Sequence, residues 1–502
     1  MYTFSRVLSV RSPPLHSCVR HAVFFHSSRA ARWPQSTPES SRDSVRRSET
    51  SSTSPKNKRP SMDRSTNSSP TSTPASESNQ SLPPGWEDEL NRHLTTFAQL
   101  PHRTFGFNQH MIINEEFKES LRQILWQFRA PIRYAFAYGS GVFPQNDGSM
   151  PPASLSPHPH PPEAVTKWQK GGGKIIDFIF GVSYTQHWHS LNLQQHRDHY
   201  SFLGSLGSAV VTRVQDKWGA GVYFNPYITV NGVMIKYGVV NLDVLSRDLQ
   251  QWETLYLAGR LHKPVKILRD DPQIRYSNQL NLIGAVRTAL LLLGEKFTER
   301  ELYTAIAGIS YMGDPRMSFA TENPHKVKNI VGNQLTNFRQ LYNPFVGTLP
   351  NVTYCDPRCS REDWIHDAAT DARMTQDMDP VKRGNMVRRL PKAFRDRLYL
   401  QYQKKFQIPG RDFARMLEES KDEDESSFKR RQGGEFDRRI AQEPDIRQQV
   451  AEAIRLTVKW PSYSQTVKGL FTAGPTRSWK YLGEKWEKKR EGDKMGPSDT
   501  SS

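Results

Sequence analysis

The sequence contains few cysteines, and they do not form a disulfide framework. Among 502 residues there are three: Cys18 near the N-terminus, and Cys355 and Cys359 in the short motif C-D-P-R-C. His366 follows closely, so a zinc site is one interpretation, although structural zinc usually takes four ligands in recognisable pairs. Two free thiols in a reducing compartment are the favoured interpretation.

Long hydrophobic runs are also absent. No segment approaches the roughly 20 apolar residues that a helix needs to cross a bilayer. The most apolar helical stretch, residues 285–293, is interrupted by Arg287 and is predicted to be a buried helix. Any membrane contact is therefore expected to be peripheral.

Negative charge is scarce, and the formal net charge is +18. Such a balance favours acidic partners, namely nucleic acid, anionic lipid or phosphorylated small molecules. The first acidic residue is Glu39, and the arginine-rich residues 1–35 are predicted to be a mitochondrial transit peptide, with a disordered basic tail as the alternative. Residues 36–84 are rich in Ser, Thr and Pro and bury too little surface to fold, which predicts a disordered linker.

The order of predicted elements after residue 85 indicates a mixed α/β fold. The first domain, 85–272, is interrupted by a Pro- and Gly-rich flexible insertion at 146–173. Residues 186–218 are predicted to be mainly helical. Strands are predicted at 134–143, 174–182, 221–230 and 233–240.

Helical periodicity dominates the sequence that follows. Residues 273–346 are predicted to form a compact helical domain of winged-helix type, in which Thr298 and Glu301 make a capping box. Residues 347–460 form a C-terminal region. Its charged part, 411–449, is predicted to be a solvated helix or a disordered insertion.

Two features of the first domain indicate phosphate chemistry. Tyr138, Gly139, Ser140 and Gly141 follow an apolar strand, and such a turn offers backbone N–H groups and a hydroxyl to phosphate oxygens. An ordinary turn is the alternative.

Asp177 lies between Ile and Phe in the second strand, where a carboxylate needs a cation or a metal ion as partner. A structural ion pair is the alternative to a metal site. Together, the turn and Asp177 resemble the polymerase-β-like nucleotidyltransferase core, in which strand carboxylates hold Mg²⁺ against the phosphates.

Longer motifs resemble the mitochondrial phosphatidate cytidylyltransferase family, also called the mitochondrial translocator assembly and maintenance proteins. The resemblance covers roughly 85–350 and returns near the C-terminus. The motifs are F-A-Y-G-S-G-V-F (136–143), I-D-F-I-F (176–180), W-H-S-L-N-L (188–193), H-Y-S-F-L (199–203), G-A-G-V-Y-F-N (219–225), I-K-Y-G-V (235–239), Y-L-A-G-R-L-H-K-P-V-K-I (256–267), S-Y-M-G-D-P-R-M (310–317) and K-G-L-F-T-A-G (468–474).

The resemblance implies a peripheral enzyme on the matrix side of the inner membrane. It implies that CTP and phosphatidic acid are joined into CDP-diacylglycerol for cardiolipin and phosphatidylglycerol synthesis. It further implies a nucleotidyltransferase domain followed by a winged-helix-like domain, and dependence on Mg²⁺ or another divalent cation.

One departure concerns the second metal-holding carboxylate, which the wider superfamily places two positions after the first. Ile179 occupies that position here. Asp243 and Asp198 are the candidates for a carboxylate supplied from elsewhere.

Positive charge is the chief requirement of the implied reaction. The attacking oxygen belongs to a phosphate monoester that is already ionised, so no general base is needed. Cations are needed to bring two anions together and to stabilise departing pyrophosphate. Lys236 is predicted to act in catalysis, and Arg260, Lys263 and Lys266 to bind the nucleotide, with surface charge as the alternative for each.

Four further residues lie in motifs of the family. His189 and His199 are predicted to contact substrate phosphate or base, with hydrogen-bonded structural histidines as the alternative. Asp314 and Arg316 are predicted either to form a local ion pair or to close the cleft.

The basic tail, 461–502, is predicted to bind the membrane. Trp479, Leu482 and Trp486 recur at helical spacing among lysines and an arginine, a pattern typical of an amphipathic helix at an anionic surface. A helix docked on the protein's own core is the alternative.

Two other functions compete with lipid cytidylyl transfer. A nucleotidyltransferase acting on RNA requires interleaved aromatic and basic residues, and no clear module of that kind is present, so no nucleic-acid partner is expected. A non-catalytic assembly factor for inner-membrane protein import predicts that Asp177 is dispensable, whereas catalysis predicts that it is essential.

Overall fold

The computed structural model describes residues 93–143, 175–318, 325–419 and 432–474. Several predictions lie outside these ranges: the transit peptide 1–35, the linker 36–84, the insertion 146–173 and the tail residues Trp479, Leu482 and Trp486.

The described ranges contain two sheets and many helices. The strands are β1 (Tyr134–Tyr138), β2 (Ile176–Val182), β3 (Val222–Val230), β4 (Val233–Asn241), β5 (Lys266–Arg269), β6 (Lys296–Thr298), β7 (Val352–Tyr354) and β8 (Arg373–Gln376). The helices are α1 (Glu115–Trp126), α2 (Thr185–Gln195), α3 (Ser208–Lys217), α4 (Leu242–Gln251), α5 (Ala258–Leu261), α6 (Pro272–Leu292), α7 (Glu299–Gly308), α8 (Pro315–Ser318), α9 (Lys326–Gly332), α10 (Leu335–Val346), α11 (Pro380–Arg388), α12 (Lys392–Lys405), α13 (Gly410–Glu419), α14 (Glu435–Gln442) and α15 (Ile446–Ala473).

The large sheet has the order β3-β4-β2-β1-β5, and the mixed α/β class is therefore confirmed. β2 and β4 are parallel, and the other neighbours are antiparallel. The four predicted strands are all present. Helices α2 and α3 pack on one face, and α4 packs on the other with α6 behind it. Because both faces are covered, β1 and β2 are apolar on both sides.

The pairing register divides the side chains of this sheet between two faces. Asp177 lies opposite Tyr138 on β1 and opposite Lys236 on β4, so the three side chains share one face, which we call the front face. Phe178 and its cross-strand partner Tyr237 lie on the opposite, rear face.

The helical region after the sheet is built around α6, which is buried along almost its whole length. It begins at Pro272, where Asp271 accepts hydrogen bonds from the N–H groups of Gln273 and Ile274. The capping box of Thr298 and Glu301 is confirmed at the start of α7. A second sheet, of order β6-β8-β7, joins a strand before the predicted boundary at residue 346 to two strands after it.

The charged segment 411–449 is described at 411–419 and 432–449, and these two parts are more ordered than predicted. Phe413 of α13 and Ile440 of α14 are buried, and α14 packs against α11. The buried Asp437 accepts hydrogen bonds from the Tyr399 hydroxyl and, at 2.9 Å, from the N–H of Gly434. The prediction of a solvated or disordered segment is therefore wrong for α14. Its apolar residues lie on one buried face of the helix, and the many charged residues around them made this face hard to recognise in the sequence.

The longest helix, α15, connects the helical region to the large sheet. It crosses the predicted boundary at residue 460, and its Gln465 side chain donates to the carbonyl of Val222 at 3.2 Å. Lys468 is buried and donates to the carbonyls of Gln215 and Trp218 at the end of α3. No helix in the described ranges combines the length and apolarity needed to cross a membrane.

Candidate functional site

The front face of the large sheet carries a carboxylate paired with an ammonium group. Asp177 Oδ1 lies 3.4 Å from Lys236 Nζ, and the two side chains are 29% and 27% exposed. The parallel pairing of β2 with β4 places them side by side. The ion pair is therefore formed, yet its partial exposure leaves both groups accessible to a ligand.

The Gly-Ser turn lies directly against this carboxylate. Gly139 has a φ of +84°, and a Cβ atom there would lie 3.3 Å from Asp177 Oδ2. At Gly141 a Cβ atom would lie 2.8 Å from the carbonyl oxygen of Ile175, so this position also requires glycine. The turn therefore holds the half-buried Ser140 next to Asp177.

Arg260 is fixed beside the pair by aromatic rings. Its Cζ lies 3.9 Å from the ring centroid of Tyr256, and its Nε donates to the Tyr138 hydroxyl at 3.1 Å. Phe224 lies between the two cations, with Lys236 Nζ 4.6 Å and Arg260 Cζ 6.0 Å from its ring centroid. Sequence reasoning did not single out Tyr256 or Phe224. The four-residue spacing of Tyr256 and Arg260 on one helical turn was the available signal.

Lys263 extends the row of cations one turn further. Its Nζ donates to Ser310 Oγ at 2.9 Å and lies 5.1 Å from the ring centroid of Tyr311. Burial, and the positive charges of Arg260 and Lys326, lower the pKa of Lys263 to about 7. Sequence analysis did not identify Ser310, Tyr311 or Lys326.

Asp314 and Arg316 form a local ion pair next to this row. Arg316 Nη2 lies 2.6 Å from Asp314 Oδ2, and Arg316 Nε lies 3.0 Å from Oδ1. Burial raises the pKa of Asp314, but the hydrogen bonds and charge of Arg316 outweigh it and hold that pKa below its usual value. Arg260 also contributes to lowering this pKa, so the charge of Asp314 acts on the row of cations.

Lys266 does not join this group. It lies opposite Ala137 on β1, and neighbouring residues along a strand point to opposite faces, so its side chain leaves from the rear face. Its Nζ donates to the carbonyl of Met111 at 2.6 Å. The structure therefore separates Lys266 from the other predicted nucleotide-binding cations.

His189 and His199 also lie on the rear side. His189 is buried, with its ring nitrogens 2.8 Å from Tyr200 Oη and 2.8 Å from Gln215 Oε1. His199 Nδ1 lies 2.9 Å from Tyr237 Oη. Burial lowers the pKa of His189 to about 4, so this ring is neutral near pH 7. The structure gives both histidines hydrogen-bonded positions within the fold and separates them from Asp177 by the thickness of the sheet.

Neither candidate for a second metal-holding carboxylate comes near Asp177. Asp243 is exposed at the start of α4, beyond the far end of β4. Its neighbour Asn241 lies five residues from Lys236, about 17 Å at the usual rise of a strand. Asp198 is exposed on the rear side, next to His199.

Within the described ranges, one group brings three potential metal ligands within 4.8 Å of one another, namely His196, Asp198 and His199. The two imidazole rings are stacked, with centroids 4.4 Å apart and an interplanar angle of 1°. Nitrogen lone pairs lie in the plane of each ring, so two parallel rings cannot direct them at one ion. This group is therefore a poor metal site.

Cys355 and Cys359 are free thiols, as favoured from the sequence. Burial raises the pKa of Cys359 to about 11, so it carries a proton near pH 7. A protonated thiol is neither a good metal ligand nor a good nucleophile.

The front face and the residues next to it therefore carry a group of side chains with more positive than negative charge. The cations are Lys236, Arg260, Lys263, Arg316 and Lys326, and the carboxylates are Asp177 and Asp314. An α/β sheet that presents a Gly-Ser turn, a carboxylate and a row of cations is suited to ligands that carry several phosphates.

Comparison with known proteins then identifies the family. The family model described as "Phosphatidate cytidylyltransferase, mitochondrial" matches residues 121–488. Relatives with that same name are found in Schizosaccharomyces pombe (34% identical over 411 residues, 80% of this chain and 93% of the relative), Xenopus laevis (35% over 379 residues, 75% and 96%) and Saccharomyces cerevisiae (40% over 264 residues, 51% and 63%). The chain belongs to the mitochondrial phosphatidate cytidylyltransferase family.

Proposed function

We propose that this protein transfers a cytidylyl group from CTP to phosphatidate and so makes CDP-diacylglycerol and pyrophosphate. The observation that best supports this proposal is the Gly-Ser turn packed against Asp177, which is paired with Lys236. The relatives of this chain are named for the same activity. The sequence motifs that resemble the family include the same residues.

In this reaction a phosphate oxygen of phosphatidate attacks the α-phosphorus of CTP. The new P–O bond forms as the bond from the α-phosphorus to the bridging oxygen of pyrophosphate breaks. The nucleophile is already anionic, so the protein needs no general base. The turn at Gly139 and Ser140 offers donors to the triphosphate, and Lys236 and Arg260 offset charge as pyrophosphate departs.

A divalent ion, Mg²⁺, fits beside Asp177. Mg²⁺ is usually held by one or two carboxylates together with substrate phosphates, so a single carboxylate is sufficient. The Asp177 side chain is 29% exposed, so its carboxylate is accessible to an ion, and Ser140 follows Gly139 in the turn that packs against Asp177 Oδ2. When bound there, the ion would neutralise phosphate charge. We therefore assign one divalent ion to Asp177.

The remaining assignments follow from this function. The parallel β2–β4 pair with its carboxylate supports a polymerase-β-like core, and the three-stranded sheet among helices supports a winged-helix-like domain. A lipid substrate supports a matrix-side position on the inner membrane, reached through the part of the predicted tail 461–502 that follows α15. The mitochondrial names of the relatives agree with that compartment.

The test is CDP-diacylglycerol formation from CTP and phosphatidate in liposomes with Mg²⁺. The variants are Asp177→Asn and Ser140→Ala, and Asp243→Asn is the matched control because it changes an exposed carboxylate distant from Asp177. We expect product from wild type and control, none from Asp177→Asn with an unchanged melting temperature, and less from Ser140→Ala. Equal product from all variants, or none from wild type, would favour the assembly-factor or RNA alternatives.

A further inference from the structure

The segment that carries Tyr256 and leads into Arg260 has a strained backbone. Trp252 and Leu255 both have a φ angle of +56°, in the left-handed region that bulky residues rarely occupy. Backbone of this kind persists only where the surrounding structure holds it in place, and it is concentrated at functional sites. The residues that hold this strained segment, 252–258, are therefore candidates for a role in the site.

One buried carboxylate, Asp248 of α4, accepts most of the hydrogen bonds that fix the strained segment. Its Oδ1 accepts from the N–H of Thr254 at 2.9 Å, from the Thr254 hydroxyl at 2.8 Å and from the N–H of Leu255 at 3.1 Å. Its Oδ2 accepts from the N–H groups of Leu257 at 3.0 Å and Ala258 at 3.1 Å. The side chain is 4% exposed, so these bonds are shielded from water.

A chain of hydrogen bonds leads from Asp248 to Arg260. The Thr254 hydroxyl, which donates to Asp248, accepts from the N–H of Tyr256 at 3.2 Å. The carbonyl of Tyr256 accepts from the Arg260 guanidinium, whose Cζ lies 3.9 Å from the Tyr256 ring centroid. Arg260 Nε donates to the Tyr138 hydroxyl at the end of β1. The backbone of the strained segment therefore sets where the guanidinium lies.

Two further side chains hold the strained segment independently of Asp248. Asn281 of α6 donates to the carbonyl of Ala258 at 3.1 Å and accepts from Trp252 Nε1 at 2.8 Å. Arg397 of α12 donates to the carbonyl of Trp252 at 3.3 Å. Because these contacts remain when Asp248 is changed, loss of its charge should shift the segment without unfolding it.

We propose that Asp248 is a positioning residue for cytidylyl transfer, which holds the strained segment so that Tyr256 and Arg260 meet the triphosphate. This inference rests on the proposed function, in which Arg260 offsets charge as pyrophosphate departs. Both oxygens of Asp248 face donors of the protein, so it acts through the backbone and not on a substrate. A guanidinium fixed in advance needs no reorganisation when the charge develops.

The test is a double-mutant cycle between Asp248→Asn and Arg260→Met, measured as kcat/KM for CTP at saturating phosphatidate. An amide in either orientation turns its N–H groups toward at least two of the backbone donors, so Asp248→Asn disrupts the contacts while conserving shape. We expect Arg260→Met to lower kcat/KM about 10²-fold and Asp248→Asn about tenfold. In the Arg260→Met background, Asp248→Asn should change kcat/KM less than about twofold, because the residue that it positions is gone.

The matched control is Asp437→Asn. Asp437 is another buried carboxylate that accepts from a hydroxyl and from a backbone N–H. Its substitution should lower the melting temperature but leave kcat/KM of the folded protein unchanged in both backgrounds. If Asp248→Asn does not fold, Thr254→Val replaces it, because the half-buried Thr254 then loses only its hydroxyl. A smaller loss, again absent in the Arg260→Met background, is expected.

Independent losses would overturn the proposal. If Asp248→Asn lowers kcat/KM by the same factor with and without Arg260, or does not lower it, Asp248 has only a structural role. If wild type forms no product, the proposed function is overturned, and the cycle is then measured as the Kd for CTP by calorimetry without lipid. Coupled losses of affinity would support the positioning of Arg260, and additive losses would exclude it. Absence of CTP binding by wild type would overturn both proposals.

Discussion

The two faces of the large sheet both carry polar residues, but these residues are partly exposed on the front face and buried on the rear face. On the front face, Asp177 and Lys236 remain partly exposed and adjoin a row of further cations. On the rear face, His189, Asn192 and Tyr237 are buried in a network of hydrogen bonds. All of these residues lie in motifs that resemble the same family, so membership of such a motif does not distinguish a chemical role from a structural one. The exposure of a side chain to a ligand does distinguish them.

The largest expected effect removes the front-face carboxylate. Asp177→Asn should lower kcat about 10³-fold, because a metal-holding carboxylate contributes several kcal/mol to the transition state and each 1.4 kcal/mol is tenfold. The melting temperature should not fall, since the group is partly exposed. Initial rates and thermal unfolding measure the two quantities. An unchanged kcat in Asp177→Asn would mean that the front face has no more part in the reaction than the rear face.

A second test compares two lysines of the same sheet. Lys236→Met should lower kcat about 10²-fold, as for loss of one preorganised charge at the reacting phosphates. Lys266→Met, on the rear face, should lower stability by leaving the Met111 carbonyl without its donor, but should leave kcat unchanged. The value of kcat is measured for both variants on folded protein. A large loss of kcat in Lys266→Met would mean that Lys266 does belong to the nucleotide site.

The rear network is tested by Tyr237→Phe. Its hydroxyl lies 3.0 Å from Asn192 Nδ2 and 2.9 Å from His199 Nδ1, and removing it leaves buried polar groups without a partner. The free energy of unfolding should fall by about 1–3 kcal/mol, measured by urea titration, with kcat of the folded protein unchanged. Lost activity at unchanged stability would mean that the rear network takes part in the reaction.

The smallest expected effect is a pH dependence of substrate binding. Lys263 has a pKa of about 7, lowered by burial and by the charges of Arg260 and Lys326. It is cationic below that pH and loses its charge as the pH rises, so the KM for CTP should increase by up to about tenfold above neutrality. The arginine of Lys263→Arg stays protonated, so the part of the pH dependence that comes from Lys263 should be absent in this variant. The part that comes from ionisation of the substrate should remain. Identical pH profiles would exclude titration of Lys263.

Local pattern was sufficient for the elements of the site. The aromatic strand ending in Gly-Ser-Gly, the strand around Asp177 and the capping box at Thr298 were all predicted, because each depends on neighbouring residues. Tyr311 and Lys326 were not found, since they approach Lys263 from a helical region and no local pattern marks that contact. The burial of α14 was missed for a related reason, because dense charge on one helix face concealed a narrow apolar face.

The sequence by itself determined the α/β class, the positions of β1 to β4, the Gly-Ser turn and the resemblance to one family. Tertiary structure decided which predicted residues meet. Alternation along a strand is local, but the face that each strand presents depends on its register with partners far away in the chain. The parallel pairing of β2 with β4 brought Lys236 to Asp177, whereas the antiparallel pairing of β1 with β5 turned Lys266 away.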